Sequence, residues 1–478
     1  MAVLRERAVH AHLIQPILKA YGLGYLALAT PRLLGFVRLL ASKNATFRAK
    51  LQKLYRILRD GFGLNKFSTF CAVLVGGSTW LPFLFFRYVA RSPHRASSET
   101  LVRIVRFVSS CLSGWVAFNL LNQKSEDRGG IRNNALDKQS KKECLSDDIQ
   151  TKEYRPDLVG RSLDLTLFAF TRAARVIASL AWTEWERRQK SKGRWSRVEA
   201  IAPRLADAGL FAGSAAIVMW AWFYAPERLP RSYGKWIGEA AQVDGRLIEA
   251  LRRARRGQLV YGKDTGQARL LESMCEDYGW PIKWGDPAVT APIPCEMVHM
   301  GCGPNCEWHA MSRFMRSFKF AMFTNLPLQL LLRVRAKKPA AAFHRAVKDA
   351  TRSSTFLALF ISMFYYGVCL SRTRIGPKIF SSQTVTPLMW DSGLCVGAGC
   401  FMCGWSILAE TAPRRQEIAL FVAPRAAAAI LPRRYERKYL EREQMAFTLS
   451  AAVLLTCAQE RPDLIRGVFG KLLSAVFV

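Results

Sequence analysis

The fold is decided by residues 67–86, FSTFCAVLVGGSTWLPFLFF, a run of twenty residues without a charged side chain. A helix needs about 20 mostly apolar residues to cross the hydrocarbon layer of a membrane. Five more runs of 16 to 19 uncharged residues lie at 107–123, 208–226, 353–371, 392–409 and 444–459. A soluble core does not account for six such runs in one chain. The pattern therefore predicts an all-α, polytopic helical membrane protein.

The composition agrees with membrane insertion and excludes several other classes of protein. Half of the 478 residues are hydrophobic, which excludes a disordered tail, and 12 cysteines are too few for a disulfide scaffold. The formal net charge of +34 comes from 70 Lys and Arg against 36 Asp and Glu. Because basic residues flank the apolar runs, they indicate anchors at the membrane surface and not a nucleic-acid groove. The predicted partners are a bilayer with anionic headgroups, other membrane proteins and further copies of this chain.

The chain also repeats itself. Four segments of the first half match four segments of the second half in the same order: 66–70 with 352–356, 113–115 with 403–405, 161–174 with 414–427, and 211–235 with 447–471. The spacing between matched segments drops only within polar loops, where insertions are tolerated. The matches predict two tandem repeats of about four helices each, which we call helices a, b, c and d.

The repeat sets the predicted domain boundaries: a basic N-terminal segment with a weak apolar helix (1–66), a first membrane repeat (67–240) with a disordered polar loop (122–160), an inter-repeat linker with a Cys/His-rich segment (241–312), and a second membrane repeat (313–478). The N-terminal segment is rich in arginine and poor in acidic residues, which is typical of mitochondrial targeting segments. We favour the alternative, a basic segment that flanks the membrane.

Helix c carries charges inside an apolar stretch in both copies. Arg161 and Asp164 in the first copy, like Arg414 and Glu417 in the second, are three residues apart and can meet on one helix face. Helix c either spans the bilayer with its charges inside a bundle, or lies flat with its arginines at the headgroups. The predicted intramembrane charged residues are Arg161, Asp164, Arg172, Glu410, Arg414, Glu417 and Arg425, with Glu410 a candidate partner of Arg425.

Small residues mark a face for close helix packing in the second repeat. The predicted packing glycines are Gly393, Gly397, Gly399 and Gly404. Small residues at such spacing let the backbones of two membrane helices approach one another.

A cysteine- and histidine-rich stretch, PCEMVHMGCGPNCEWH at 294–309, is the one candidate chemical site. Its candidate metal ligands are Cys295, His299, Cys302, Cys306 and His309. Thiolate and imidazole donors suit a tetrahedral zinc ion, which predicts a structural zinc site. A disulfide or free thiols in a surface loop, and simple packing at the entry to the membrane, are the alternatives. No catalytic motif occurs, so the sequence predicts a protein that is not an enzyme.

Three motifs carry a family resemblance. The block at 294–306, the helix opening RSSTF at 352–356 and the stretch RRQEIALFVAPRA at 414–426 resemble the transmembrane protein 135 family. Its Cys-rich segment has a C…H…C pattern, which Cys295, His299 and Cys306 match. The resemblance covers about 290–478, and the first half lacks the Cys-rich block. The helix plan is similar, more distantly, to the mitochondrial inner-membrane translocase channel and peroxisomal membrane protein family.

The resemblance implies a multi-pass protein of a mitochondrial or peroxisomal membrane, linked to lipid metabolism and organelle dynamics. It implies no reaction. We therefore expect a non-enzymatic scaffold or regulator. The alternative is a transporter or translocation pore formed between the two helical repeats.

Overall fold

A computed structural model describes residues 2–40, 47–89, 99–122, 162–381, 383–431 and 437–477. The main helices, in chain order, are α1 (Ala2–Leu40), α2 (Phe47–Arg59), α3 (Phe67–Val89), α4 (Glu99–Asn122), α5 (Leu163–Ser191), α6 (Arg197–Tyr224), α7 (Arg231–Ala241), α8 (Gly245–Arg255), α9 (Ala268–Tyr278), α10 (Cys295–His299), α11 (Cys306–Leu331), α12 (Pro339–Cys369), α13 (Cys395–Cys403), α14 (Ala412–Ile430), α15 (Arg437–Glu460) and α16 (Gly467–Phe477). The predicted polar loop lies outside the described residues, except for Asn122.

The all-helical part of the expected fold class is confirmed for the residues that the structure describes. The described residues contain helices and no strands. Six helices are long and apolar enough to cross a membrane: 67–88, 99–122, 163–191, 205–224, 339–379 and 387–409. Over the ranges described, the fold is thus all-helical, and the lengths and composition of these six helices are those of a multi-pass membrane protein.

The six candidate spans differ in two places from the six uncharged runs. Helix c of the first half, α5, qualifies as a candidate span by length and hydropathy. Helix α15 is not among the six. Its uncharged run is only sixteen residues long, and glutamine, serine and threonine side chains lower its hydropathy. A lack of charged residues and a high hydropathy are therefore separate criteria, and α15 meets only the first.

The chain folds as two compact units, one made of Met1–Ser191 with Pro432–Val478 and the other of Lys192–Leu431. We call them unit 1 and unit 2. Unit 1 holds helices a, b and c of the first half (α3, α4, α5) with helix d of the second (α15). Unit 2 holds helix d of the first half (α6) with helices a, b and c of the second (α12, α13, α14). The boundaries of the units therefore differ from those of the sequence repeats, which stay a prediction.

In unit 1, α3 packs against α1 and α4, and α15 packs against α4 and α5. Phe447 of α15 lies between two buried phenylalanines, with ring centroids 5.6 Å from Phe70 and 5.4 Å from Phe118. Burial of three aromatic rings in one cluster is a large apolar contribution to the packing of this unit.

In unit 2, α6 packs against α13 and α14, while α12 packs against α11 and α13. The ring of Phe223 on α6 stacks on Phe364 of α12, with centroids 5.3 Å apart. Cys403 and Ile407 are fully buried in the same core. Small residues make room for these crossings, because the backbone of α6 passes close to Gly404.

Residues 243–300, which we call the connecting segment, have an apolar core of their own. Its fully buried side chains include Leu259, Met274 and Met297. Asp244 caps α8 by accepting a hydrogen bond from the backbone of Arg246, and the Arg246 guanidinium reaches Asp277 on α9 at 2.6 Å. The stretch that the sequence marks as a linker thus contains a folded part of unit 2.

Candidate functional site

Three buried donors of unit 2 meet in one cluster, two from the Cys/His-rich stretch and one from the end of α12. The ligand atoms of His299, Cys306 and Cys369 all lie within 4.8 Å of one another. His299 ends α10, Cys306 begins α11, and Cys369 ends the long helix α12. Each side chain is at most 5% exposed. Two thiols and an imidazole at this spacing could hold a metal ion, which would join the connecting segment to a candidate membrane span.

The imidazole of His299 is oriented as a ligand would be. Its Nδ1 lies 2.7 Å from the carbonyl oxygen of Gly303, so Nδ1–H donates and the other ring nitrogen is left as an acceptor. That nitrogen, Nε2, faces the Cys369 sulfur at 3.4 Å. Metal-bound histidines usually donate their second ring N–H to a carbonyl or carboxylate in this way. Gly303 has a φ of 82°, a left-handed turn that glycine adopts without strain.

Cys295 lies at the edge of the cluster as a fourth donor. Its thiol makes a side-chain hydrogen bond with Cys306. Burial raises the pKa of the Cys295 thiol, and the nearby positive charge of Arg372 opposes that rise. With Cys295, the donors number three sulfurs and one nitrogen, a set common in tetrahedral metal sites.

The other two predicted ligands lie outside the cluster. The Cys302 sulfur contacts the Ser312 hydroxyl at 3.6 Å and the Arg316 guanidinium at 3.4 Å. The ring of His309 stacks on His299 with centroids 4.3 Å apart, and neither of its nitrogens has a hydrogen-bond partner. Burial above all, together with the neighbouring imidazole of His299 and the positive charge of Arg313, lowers the pKa of His309 to about 3. His309 is therefore a neutral packing ring.

The sequence motif did not reveal Cys369. This cysteine stands in an apolar run, 63 residues beyond Cys306, where cysteine is an ordinary small packing residue. Only the folding of α12 back onto α11 brings it to the cluster. The cysteines of the described residues are all free thiols, so no disulfide occurs among them.

A buried ion pair lies beside the cluster. The Arg372 Nε is 2.7 Å from Asp391 Oδ1, and a second guanidinium nitrogen is 2.9 Å from Oδ2. The Tyr261 hydroxyl donates to Asp391 at 2.5 Å, and Arg372 donates to the carbonyl of Ile293 at 2.5 Å. From the sequence, Arg372 and Asp391 were recognisable only as charged residues that bound two apolar runs. The structure joins them to each other and to the connecting segment.

In the first half, two of the predicted intramembrane charges lie within the described residues, while Arg161 lies outside them. Asp164 is exposed in the first turn of α5. Arg172 is half-buried, with its guanidinium 4.4 Å from the ring centre of Phe168 and 5.0 Å from that of Phe469. Cation–π contacts of this kind favour a guanidinium within apolar surroundings.

In the second half, Glu410 is buried and accepts a hydrogen bond from Ser353 at 2.8 Å. Its ion pair is with Arg414, at 3.6 Å. Glu417 and Arg425 are half-buried on α14. The partner of Glu410 in the structure is thus Arg414, four residues along the chain.

The predicted packing glycines have unequal surroundings. A Cβ on Gly404 would lie 2.4 Å from the Ala212 Cα, and one on Gly399 would lie 2.8 Å from the Phe364 carbonyl oxygen. At Gly397 the nearest atom would be 3.7 Å away, which is ordinary contact. A Cβ on Gly393 would lie 2.9 Å from the guanidinium of Arg255. Gly399 and Gly404 are therefore the two positions where another backbone leaves no room for a side chain.

No family model, no curated protein and no solved structure matches this chain.

Proposed function

We propose that this chain is a non-enzymatic scaffold or regulator in a mitochondrial or peroxisomal membrane, of the transmembrane protein 135 type, linked to lipid metabolism and organelle dynamics. The observation that carries the proposal is the buried cluster of His299, Cys306 and Cys369. With a bound metal, this cluster would hold the folded connecting segment against a candidate membrane span. A rigid attachment of this kind would let a scaffold present a binding surface to a partner, and it requires no catalytic step.

The metal that we propose for this cluster is a structural zinc ion held by Cys295, His299, Cys306 and Cys369. Zinc prefers four nitrogen and sulfur donors in tetrahedral geometry, with bonds of about 2.0–2.3 Å. His299, Cys306 and Cys369 offer donor atoms within 4.8 Å of one another and need to move inward only slightly to reach that geometry, and Cys295 would close in as the fourth ligand. A full set of four protein ligands leaves no open position for a substrate, as a catalytic zinc would require.

We also propose that the two halves arose by duplication and exchange their fourth helices. A turn at Pro226–Arg228 precedes α7, and a turn at Pro462–Leu464 precedes α16. These turns and helices are separated by 236 residues, the spacing of the matched sequences. The residues before the two turns have similar backbone angles, φ −144° and ψ 55° at Ala225 against φ −140° and ψ 68° at Arg461.

Contacts of helix d support the exchange. Gly114 of helix b faces Thr448 in unit 1, while its repeat mate Gly404 faces Ala212 in unit 2. Thr448 and Ala212 are themselves repeat mates, 236 residues apart. In both units, helix b of one half thus packs against helix d of the other at the same relative position.

The function is tested by rescue. Cells that lack the protein receive the tagged full-length chain, the double variant Cys306→Ala/Cys369→Ala, or Cys275→Ala, which alters a buried cysteine of the connecting segment outside the cluster. We expect the parent chain and Cys275→Ala to reach mitochondria or peroxisomes and to restore organelle shape and lipid content, and the double variant to fail. Location in another membrane, or full rescue by the double variant, would refute the proposal.

A transport role is the second candidate, and Glu410 favours it. This carboxylate is buried directly after the candidate span 387–409, beside Ser353 of α12, and its Oε2 has no hydrogen-bond partner. Ionisable groups at such positions commonly belong to ion or substrate pathways. The full-length chain in liposomes should then dissipate a pH gradient, as read by an internal dye, and Glu410→Gln should abolish the leak. Liposomes with the parent protein that leak no faster than empty ones would exclude proton-coupled transport.

A further inference from the structure

A cavity of about 740 Å³ opens within unit 2 beside the end of α6. Its walls are mostly apolar and come from α6, α13 and α14, including Ile217, Gly397 and Ile430. At the end of α6 the lining changes to charged residues, Glu227, Arg228 and Arg255. The cavity is therefore amphipathic, with a long apolar wall and a net positive mouth.

One of these arginines, Arg255, belongs to the basic run 252–256. The members of this run have separate roles. Arg252 donates to the carbonyls of Phe223 and Trp222 and so caps the end of α6. Arg253 pairs with Glu249 at 3.0 Å on its own helix. Arg255 lines the cavity instead. Only one member of the run is thus placed to meet a ligand there.

Arg255 is held against aromatic rings with most of its donors unused. Its guanidinium lies 4.7 Å from the ring centre of Trp220 and 5.0 Å from that of Tyr224. One nitrogen donates to the carbonyl of Ser392 at 3.3 Å. Arg228 likewise donates to one carbonyl, that of Ala429, at 3.0 Å. Since a guanidinium has five N–H donors, both arginines keep several for a ligand.

We propose that this cavity binds one anionic phospholipid, with the phosphate between Arg228 and Arg255 and an acyl chain along Ile217, Gly397 and Ile430. Tryptophan and tyrosine at the end of a membrane helix are typical of the headgroup level. Basic pockets between membrane helices bind acidic headgroups, and arginine contacts phosphate with two parallel hydrogen bonds. The single acid, Glu227, offsets only one of the two positive charges. The assignment names a ligand for the proposed lipid-linked role, but depends on neither the organelle nor the zinc.

The test measures lipid binding to the purified full-length chain in nanodiscs or by native mass spectrometry. We expect phosphatidylglycerol to bind with higher affinity than phosphatidylcholine of the same acyl chains. Arg228→Gln and Arg255→Gln should each weaken phosphatidylglycerol binding about fivefold, and the double variant roughly 25-fold. Arg253→Gln is the matched control and should leave affinity within about twofold.

The apolar wall is tested separately by filling it. Gly397→Leu should reduce phospholipid binding without a change in melting temperature, whereas Gly209→Leu, on an exposed face of α6, should not. If Gly397→Leu fails to fold, the exposed arginine variants still decide the question. Equal affinity for the two phospholipids, or equal losses in Arg253→Gln and Arg255→Gln, would overturn the proposal. Displacement of the lipid by glycerol phosphate would assign the site to a soluble phosphate compound. If the parent chain rescues the cells but the purified protein binds no phospholipid, the lipid site is refuted and the proposed scaffold function is not.

Discussion

At the scale of single residues, the Arg372–Asp391 pair shows how the buried charges depend on one another. Both side chains are almost inaccessible, at 4% and 2% exposure. Two charges taken from water are stable only if their mutual attraction and further hydrogen bonds offset the loss of hydration. Here the guanidinium contacts both carboxylate oxygens, and Tyr261 and Ile293 satisfy further groups.

The first prediction concerns this pair. Arg372→Gln should lower the free energy of unfolding by about 3–5 kcal/mol, because it leaves Asp391 buried without a counter-charge. Arg374→Gln is the control, since its ion pair with Glu307 is about half exposed and should contribute at most ~1 kcal/mol. Tryptophan fluorescence during denaturation of the solubilised protein measures both. Equal losses of unfolding free energy in the two variants would show that the buried pair stabilises the fold no more than the exposed pair does.

The second prediction concerns Asp244, which caps α8. The hydrogen bond from Arg246 lowers the pKa of Asp244, and burial opposes this. Because the native pKa lies below the unfolded one, the stabilisation is present above the ordinary value of 3.8 and is lost as pH falls through the native pKa. Asp244→Asn should therefore lower the free energy of unfolding by about 1 kcal/mol at neutral pH.

The control for Asp244 is Glu276→Gln, an exposed acid on α9. Its effect should be small at all pH values. The difference between Asp244→Asn and the parent should shrink when the denaturation is repeated below pH 3.8. A difference that grows as pH falls would contradict the assigned direction of the Asp244 shift.

At the scale of helices, glycine contacts decide which pairs can cross closely. The crossing of α6 with the end of helix b in unit 2 needs a glycine at 404, whereas a Cβ at Gly397 would make only ordinary van der Waals contact. Gly404→Ala should destabilise the protein by about 1–3 kcal/mol, and Gly397→Ala should have little effect. Melting temperatures of the two solubilised variants compare them directly. Similar melting temperatures would mean that α6 shifts freely to accept the methyl group.

The helices were predictable from sequence where a single local pattern defines them. Uncharged runs gave α3, α4, α6 and α12, because an apolar span needs no distant partner to be recognised. The connecting segment was not recognised as folded, since its short helices mix arginines with the buried Leu247 and Met274. For the cluster, the motif identified Cys295, His299 and Cys306, but Cys369 stands 63 residues beyond Cys306 and reaches them only because α12 packs back on α11.

At the scale of the whole molecule, the proposed exchange of helix d makes a specific claim about neighbours. A Cβ on Gly114 would lie 3.7 Å from the Ala451 Cβ, within the usual range for a disulfide. Gly114→Cys with Ala451→Cys should therefore form a bridge on mild oxidation, which mass spectrometry of linked peptides identifies. Gly114→Cys with Ala215→Cys, the repeat mate of Ala451, is the control. A bridge at 114–215 in place of 114–451 would indicate that the helices are not exchanged.

The metal content of the purified full-length chain tests the central claim most directly. We predict about one zinc per chain in the parent protein, no zinc in Cys369→Ala, and full zinc in Cys302→Ala. The two variants separate the geometry of the structure from the sequence motif, because Cys302 belongs to the motif and Cys369 only to the cluster. A parent protein without metal, or zinc lost from Cys302→Ala and kept in Cys369→Ala, would contradict the account.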